Sequence, residues 1–337
     1  METAPLKDAH GRVVRYVRLS VTDRCNLRCM YCAHHMGLGF IPHDLILTYE
    51  EMLTVLDLLA ARGVDKVRLT GGEPFVRKGF MGFVERIRER HPSMDIRITT
   101  NAVLLAPHAA RLKALGVGGL NISFDTFNPE TFRHISGSSL YEKARQGLEA
   151  ALEHGVRVKL NAVAMRGVND HELPEFLDFA QKHAVDVRFI EYMPLGGRGG
   201  WDEGRFWPAD EVLATAQQYA TLTPIEDYHG KGRTGPAKMF SIAGGKGRFG
   251  LITAVSCHFC ADCNRLRVTS EGSFRTCLFS DSEVPFRDLL RSGPQGIKEM
   301  MRQLEVAVQA KPLGFQLLQQ RDRQEAVIQR SMSSIGG

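Results

Sequence analysis

Three cysteines within eight residues constrain this chain more than any other feature of its sequence. Cys25, Cys29 and Cys32 follow the spacing C-x3-C-x2-C, after an apolar run and before a predicted helix. No regular helix or strand brings three thiols at this spacing together, so the backbone must loop around a bound group. The spacing suits three corners of a cubane iron–sulfur cluster, which four thiolates normally hold. One iron would then be left to bind a small molecule.

Two other interpretations of this cysteine group stay open at the local level. A zinc site needs a fourth Cys or His ligand, which His34 or His35 could supply. Free core thiols are the second alternative, but Asn26, Arg28 and Tyr31 make this a poor core segment. The segment therefore favours a metal centre, and a cluster over zinc.

The remaining cysteines and the composition narrow the class of protein. All seven cysteines of the 337 residues fall into two tight groups, the second at 257, 260, 263 and 277, and no secretory signal is visible. This pattern indicates metal binding in a reducing, cytoplasmic compartment rather than disulfides. The net charge of +5 is too small to indicate nucleic-acid binding, and no apolar run approaches the roughly 18 residues of a membrane span.

Strand-like and helix-like patterns alternate through the first two-thirds of the chain, which predicts βα units and an α/β fold with parallel pairing. A Rossmann sheet and a TIM-like barrel both fit this alternation, but no Gly-rich dinucleotide motif follows the first strand. The predicted strands are 14–21, 66–70, 95–100, 119–125, 156–163 and 186–191. The predicted helices are 48–61, 80–90, 107–115, 142–154 and 172–182, the first with a capping box at Thr48 and Glu51.

Each predicted strand has one apolar face and one polar face. Val17 and Leu19 face one way and Arg18 the other, because side chains alternate along a strand. Buried parallel strands are normally apolar throughout, and the interior of a closed eight-stranded barrel is a packed apolar core. We therefore expect an open interior that holds a polar ligand, although a sheet with one solvated face is an alternative. The polar face carries Arg18, Lys66, Arg68, Thr99, Ser123, Lys159 and Arg188.

Two motifs together resemble the radical S-adenosylmethionine superfamily. The first is the C-x3-C-x2-C group with Tyr31 before its last cysteine, and the second is Thr70-Gly-Gly-Glu-Pro74 at the end of the second strand. Gly71 and Gly72 would let the backbone approach a ligand closely, and Glu73 can accept a hydrogen bond from an ammonium group. The superfamily has a partial (β/α)6 TIM-like barrel, which agrees with six strands that carry a polar face.

The second cysteine group narrows the resemblance to the GTP 3′,8-cyclase family of molybdenum cofactor biosynthesis. Cys260-Ala-Asp-Cys263-Asn-Arg-Leu-Arg267, Cys277 and the tail Ile335-Gly336-Gly337 are similar to that family, as is the segment from Arg18 to Cys25. The resemblance covers essentially the whole chain. It implies a barrel domain at 1–218 and a C-terminal α+β segment at 219–337, which carries a second cluster, closes the barrel and ends in the Gly-Gly tail.

The resemblance also implies roles for individual residues. It assigns the first 4Fe–4S cluster to Cys25, Cys29 and Cys32, and the second to Cys260, Cys263 and Cys277. It assigns S-adenosylmethionine binding to Tyr31, Gly72, Ser123 and Met193. It assigns GTP binding to Arg18, Arg68, Thr99, Lys159, Arg265, Leu266 and Arg267, with Lys66 and Arg188 at the triphosphate. Catalysis would further involve Arg265, Arg267, Gly336 and Gly337.

The implied reaction starts from cleavage of S-adenosylmethionine and joins the ribose C3′ of GTP to guanine C8. It implies an electron donor protein, hand-over of product to a cyclic pyranopterin monophosphate synthase, and a homodimer as one assembly. Two departures from the family pattern are visible. Cys257 extends the second group and is expected to be a bystander, and the loop at 196–200 differs in sequence. The alternatives are another two-cluster radical maturase and a non-catalytic, zinc-stabilised nucleotide-binding protein.

Overall fold

Six parallel strands form the centre of the fold. The computed structural model describes residues 4–32, 40–194, 202–226, 235–256, 260–322 and 335. Consecutive strands pair in parallel, each with the next along the chain. They are β1 (Tyr16–Ser20), β2 (Lys66–Thr70), β3 (Asp95–Thr100), β4 (Gly119–Ser123), β5 (Val158–Ala164) and β6 (Asp186–Glu191). The predicted α/β fold is confirmed, and three of the six strands have the predicted bounds.

Helices connect these strands, as the alternating pattern predicts. They are α1 (Tyr49–Ala60), α2 (Phe80–Arg90), α3 (Ala109–Ala114), α4 (Pro129–Ser136), α5 (Tyr141–Glu153) and α6 (Leu173–Lys182). The capping box of α1 is present, with Thr48 Oγ1 accepting from Glu51 N and Glu51 accepting from Thr48 N. Helix α4 is an addition to our prediction; Asn128 caps it by accepting from the N–H groups of Glu130 and Thr131. None of the helices in the described ranges is long and apolar enough to cross a membrane.

The C-terminal part of the chain extends the same sheet at both edges. It contains β7 (Leu222–Pro224), β8 (Ala237–Ile242), β9 (Arg248–Ile252), β10 (Arg265–Val268), β11 (Ser273–Arg275) and β12 (Val284–Pro285). Strand β9 pairs in parallel with β6, and β10 pairs in parallel with β1. The strand order is therefore β12-β11-β10-β1-β2-β3-β4-β5-β6-β9-β8-β7. The helices of this part are α7 (Ala209–Tyr219), α8 (Arg287–Arg291), α9 (Pro294–Gln309) and α10 (Gly314–Asp322).

The predicted alternation along the strands is present. In β3, Ile96 and Ile98 are fully buried, whereas Arg97 and Thr99 line a cavity on the other face. The apolar face packs against the helices in one continuous core, to which α1 contributes Leu53 and Leu56. Burial of apolar surface on the helix side therefore leaves the other side of the sheet for polar side chains.

Candidate active site

The polar face of the sheet surrounds a cavity of about 1200 Å³. Both cysteine groups line it, and strand direction places them at opposite ends of the strands. Cys25 follows the carboxyl end of β1, whereas Cys263 precedes the amino end of β10, which runs parallel to β1. A ligand that fills the cavity therefore lies between the two groups.

The first cysteine group forms a tight loop at the carboxyl ends of the strands. Cys32 N donates to Cys29 O at 2.8 Å, and Asn101 Nδ2 lies 3.7 Å from Cys25 Sγ. Burial, with the negative charges of Glu73 and Cys32, raises the pKa of Cys25 to about 12. Burial, with Asp125 and the other two thiols, likewise raises the pKa of Cys29 well above its usual value.

Such crowding of thiols fits a polynuclear cluster better than a single ion. The three thiols repel each other as thiolates, and a group with several metal cations removes that repulsion. Among the described residues, no three His, Cys, Asp or Glu side chains converge on one metal-ion position. His34 and His35, the ligands that a zinc site would need, lie outside the described residues. Three cysteine thiols at this spacing are a donor set that fits an iron–sulfur cluster.

The two glycines after β2 pack against the loop that leads into this cysteine group. Gly72 N donates to Thr22 O at 2.7 Å, and Glu73 N donates to Arg24 O at 2.8 Å. A Cβ on Gly72 would overlap the carbonyl oxygen of Arg24. We expected these glycines to let the backbone approach a ligand, and both line the cavity. Gly72 also lets the backbone of this turn pack closely against the backbone of the loop before Cys25.

Glu73 has a structural role in this turn. Its buried carboxylate accepts from Thr100 Oγ1 at 2.8 Å and from Asn101 N at 2.7 Å. Burial raises the pKa of Glu73 to about 7, against the lowering effect of these hydrogen bonds. Glu73 is absent from the described residues that line the cavity. Glu73 thus ties the turn to the end of β3, and its role as an acceptor for a ligand ammonium stays a prediction.

The residues predicted to bind S-adenosylmethionine share the cavity with the first cysteine group. Tyr31, Gly72, Ser123 and Met193 all line the cavity. Tyr31 Oη donates to Asp125 Oδ2 at 2.6 Å, and Asp125 Oδ1 accepts from Val163 N at 2.8 Å. Asp125 therefore fixes the Tyr31 ring relative to β4 and β5.

The second cysteine group also lines the cavity. Cys263 N donates to Cys260 O at 3.3 Å, and a Cβ on Gly314 would lie 2.8 Å from Cys277 Sγ and 3.7 Å from Cys260 Sγ. Burial raises the pKa of Cys277. For Cys263 the charges of Lys311 and Arg265 outweigh burial and lower its pKa. Three thiols that share a cation-rich pocket fit a second cluster; Cys257 lies outside the described residues.

Strand register gathers the predicted cations along the cavity wall. Arg18 is directly beside Arg68 on one side and Arg267 on the other, and Asn161 is beside Arg188. Burial lowers the pKa of Arg18 to about 10, helped by Arg68 and Arg265, although Tyr16 opposes the shift. These residues all line the cavity: Arg18, Lys66, Arg68, Lys159, Arg188, Arg265 and Arg267.

Two buried polar atoms on this wall are available to a ligand. Within the described ranges, Arg68 Nη1 and Thr99 Oγ1 are buried without a hydrogen-bond partner. Unpaired buried polar groups are costly, so a bound molecule with several acceptors would stabilise them. A polyanion fits the charge of the wall.

The cavity is also lined by residues to which we assigned no ligand. Arg97, Asn121 and Asn161 line it from the polar strand face, where the alternation places them, and Tyr16 does so as well. Lys311, in contrast, comes from beyond α9, with no pattern to mark it.

Leu266 and the Gly-Gly tail, which were also predicted to belong to the site, are not among the described residues that line the cavity. The side chain of Leu266 is fully buried in the apolar core rather than in the cavity lining. Gly336 and Gly337 lie outside the described residues. Their neighbour Ile335 is described, and its carbonyl accepts from Arg267 Nη1 at 3.5 Å.

Comparisons with known proteins agree with this arrangement. The family described as "Radical SAM superfamily" matches residues 19–180, and "Molybdenum Cofactor Synthesis C" matches residues 185–317. The GTP 3′,8-cyclase of Alkaliphilus oremlandii is 39% identical over 98% of this chain and 100% of its own length. The GTP 3′,8-cyclase of Desulforamulus reducens is 40% identical over 98% of this chain and 99% of its own length.

A solved structure shares the fold. Streptococcus suis SuiB bound to S-adenosylmethionine aligns with a TM-score of 0.61, covering 86% of this chain and 69% of SuiB. The sequence identity is only 16%, so this similarity concerns the fold alone.

We predict that Gly72→Ala displaces the loop before Cys25, because the new methyl group overlaps the Arg24 carbonyl. After anaerobic reconstitution, iron per chain should fall by about four, the content of one cubane cluster. Gly82→Ala, in the first turn of α2 with nothing near its Cβ position, is the matched control and should keep full iron content. Unchanged iron in the Gly72→Ala protein would contradict this account of the turn.

Proposed function

This chain belongs to the GTP 3′,8-cyclase family, and we propose that it converts GTP to (8S)-3′,8-cyclo-7,8-dihydroguanosine 5′-triphosphate in the cavity between its two cysteine groups. This radical S-adenosylmethionine reaction is the first step of molybdenum cofactor biosynthesis. One observation carries the proposal: a cation-lined cavity separates two groups of three thiols at opposite ends of parallel strands.

The cysteine groups are proposed to hold two 4Fe–4S clusters. Cys25, Cys29 and Cys32 would hold the first, and Cys260, Cys263 and Cys277 the second. When bound, the first cluster and S-adenosylmethionine supply the one-electron chemistry that removes the 3′ hydrogen of the ribose. Tyr31, Gly72, Ser123 and Met193 would orient S-adenosylmethionine, with Tyr31 held by Asp125.

The cations of the wall are proposed to bind GTP. Lys66 and Arg188 would contact the triphosphate, with Arg18, Arg68 and Lys159 beside them; guanidinium groups suit bidentate contacts with phosphate. The free cavity keeps these charges close together and partly desolvated, which lowers the pKa values of Arg18 and Lys159. A bound triphosphate relieves that repulsion. Binding energy is therefore available to fix the ribose near the first cluster.

The guanine end is proposed to lie near the second cysteine group. Arg265 and Arg267 face the cavity there. Thr99 Oγ1, which lies further along the wall toward the carboxyl ends of the strands, offers an unpaired polar atom. Leu266 can contribute only through its backbone, because its side chain lies in the core. Gly336 and Gly337 are proposed to reach the same region, since Ile335 is buried and its carbonyl meets Arg267.

The reaction class also bears on the compartment and the partner proteins. The six described cysteines are free, which supports a reducing, cytoplasmic compartment. An electron donor protein is needed to start each turnover, and the downstream cyclic pyranopterin monophosphate synthase is proposed to take the product. We also propose the division into a barrel domain at 1–218 and an auxiliary-cluster domain at 219–337, and a homodimer as the assembly.

The proposal predicts product formation under anaerobic conditions. The reconstituted protein, given GTP, S-adenosylmethionine and a reductant, should form 5′-deoxyadenosine and cyclised GTP in similar amounts, measured by chromatography with mass detection. Cys29→Ser is the control and should form neither product. Absence of both products from the wild-type protein would defeat the proposal.

Loss of the Gly-Gly tail should reduce product formation without affecting iron content. Deletion of Gly336 and Gly337 should reduce cyclised product at least roughly tenfold, because small displacements of a positioned substrate are costly, while iron content stays at the wild-type value. A Gly336→Ala/Gly337→Ala variant tests whether side-chain volume matters, and it should also lose product. Full turnover by the truncated chain would remove the tail from the active site.

Titration of the Lys159 side chain should make GTP binding depend on pH. Burial, helped by Arg188 and opposed by Asp186, lowers the pKa of Lys159 to about 7. A bound triphosphate raises that pKa, so above about pH 7 binding takes up a proton and affinity falls, at most tenfold per pH unit. Below about pH 7 the ammonium is already charged, and this dependence disappears.

Calorimetry of GTP binding between pH 6 and 9 measures this effect. The Lys159→Met protein should bind more weakly with a flatter pH profile, and the remaining slope reports Tyr16, whose pKa is also lowered to about 7. Lys246→Met, an exposed site away from the cavity, should behave as wild type. An equal slope in the wild-type and Lys159→Met proteins would exclude Lys159 as the group that titrates.

A further inference from the structure

The N-terminal segment reaches the second cysteine group through one buried arginine. Arg12 Nε pairs with Asp8 Oδ2 at 2.5 Å, and both side chains are almost fully buried. Arg12 Nη1 donates to Cys260 O at 2.7 Å, and Nη2 donates to Lys311 O at 2.8 Å. A single guanidinium thus joins the N-terminal segment, the Cys260 loop and the segment after α9.

Lys311 completes this connection from the other side. Its side chain is buried, with only 2% of the residue exposed. Lys311 Nζ donates to the carbonyl of Thr276 at 2.8 Å and to the carbonyl of Arg265. These carbonyls lie next to Cys277 and just after Cys263, so one ammonium ties together the two strands that present these thiols.

The charge of Lys311 has no carboxylate partner in the described part of the chain, whereas that of Arg12 is balanced by Asp8. A buried ammonium held only by carbonyls carries a large desolvation cost. It interacts electrostatically with the sulfur groups of Cys263 and Cys277. The Lys311 ammonium therefore places a buried positive charge, without a carboxylate partner among the described residues, on the protein side of the thiols.

We propose that Arg12 and Lys311 are positioning residues for the second cluster, which hold its three cysteines in place and favour its reduced form through the charge of Lys311. The inference rests on the proposed function, because it requires a cluster at Cys260, Cys263 and Cys277. On one-electron reduction the cluster gains a negative charge and no bond forms or breaks. A nearby buried cation stabilises that added charge and raises the reduction potential.

Acidic groups lie beside the first cysteine group. Glu73 acts electrostatically on Cys25, and Asp125 acts on Cys29. Carboxylates disfavour added negative charge. The protein should therefore make the second cluster easier to reduce than the first.

Two substitutions separate the holding role of Lys311 from its charge. Lys311→Met removes both the donors and the charge, and should reduce iron per chain from about eight to about four after reconstitution. Lys311→Gln keeps a donor and removes the charge. It should keep both clusters but shift the midpoint potential of the second to a more negative value, measured by reductive titration followed by electron paramagnetic resonance. The first cluster serves as the internal reference and should not shift.

Two further lysine variants serve as controls for these measurements. Lys298→Met, an exposed lysine on α9, should match wild type in iron and in both potentials, and Lys311→Arg should restore the second potential toward the wild-type value. If Lys311→Met does not fold, the Lys311→Gln potential decides. Full iron content in Lys311→Met, or an unchanged second potential in Lys311→Gln, would overturn the inference. A wild-type protein with only about four irons would instead overturn the proposed second cluster itself.

Discussion

The alternation of apolar and charged side chains along six parallel strands is the constraint on which the rest of this structure depends. Helices on one side of the sheet bury Val17, Leu19, Ile96 and Ile98, and this burial supplies the main stabilisation. The same period of two turns Arg18, Arg68 and Lys159 to the other side. A packed apolar interior is incompatible with such a face, and in this fold the polar face lines a ligand-sized cavity.

Charge then divides the cavity into regions with different chemistry. Carboxylates lie near the first cysteine group, and cations line the wall and surround the second group. Register produces this arrangement, because parallel pairing places Arg18 between Arg68 and Arg267. The cations are partly desolvated before any ligand binds, which makes the free protein complementary to a polyanion rather than merely basic.

Sequence reasoning could predict what local period and short motifs encode. The six strands, the bounds of three of them and the inner-face cations follow from alternation, and the capping box at Thr48 follows from residues three apart. Contacts between distant segments could not be predicted. Nothing in the local sequence indicates that Lys311 reaches the carbonyls beside Cys263 and Cys277, or that Gly72 packs on Arg24. Leu266 shows the limit of a motif: it belongs to the run 265–267, but alternation places its side chain in the core.

The parallel pairing of β1 with β10 has a consequence for folding during synthesis. Tyr16 aligns with Arg265. One edge of β1 therefore stays unpaired until β10, roughly 250 residues later in the chain, has been synthesised. At about 5–20 residues per second, the ribosome needs on the order of 12–50 seconds to deliver it. Throughout that interval β1 presents unpaired backbone groups, which are a template for wrong pairing. Arg18 on that strand keeps a charge at the open edge, and the cavity wall is complete only when the C-terminal part of the chain has arrived.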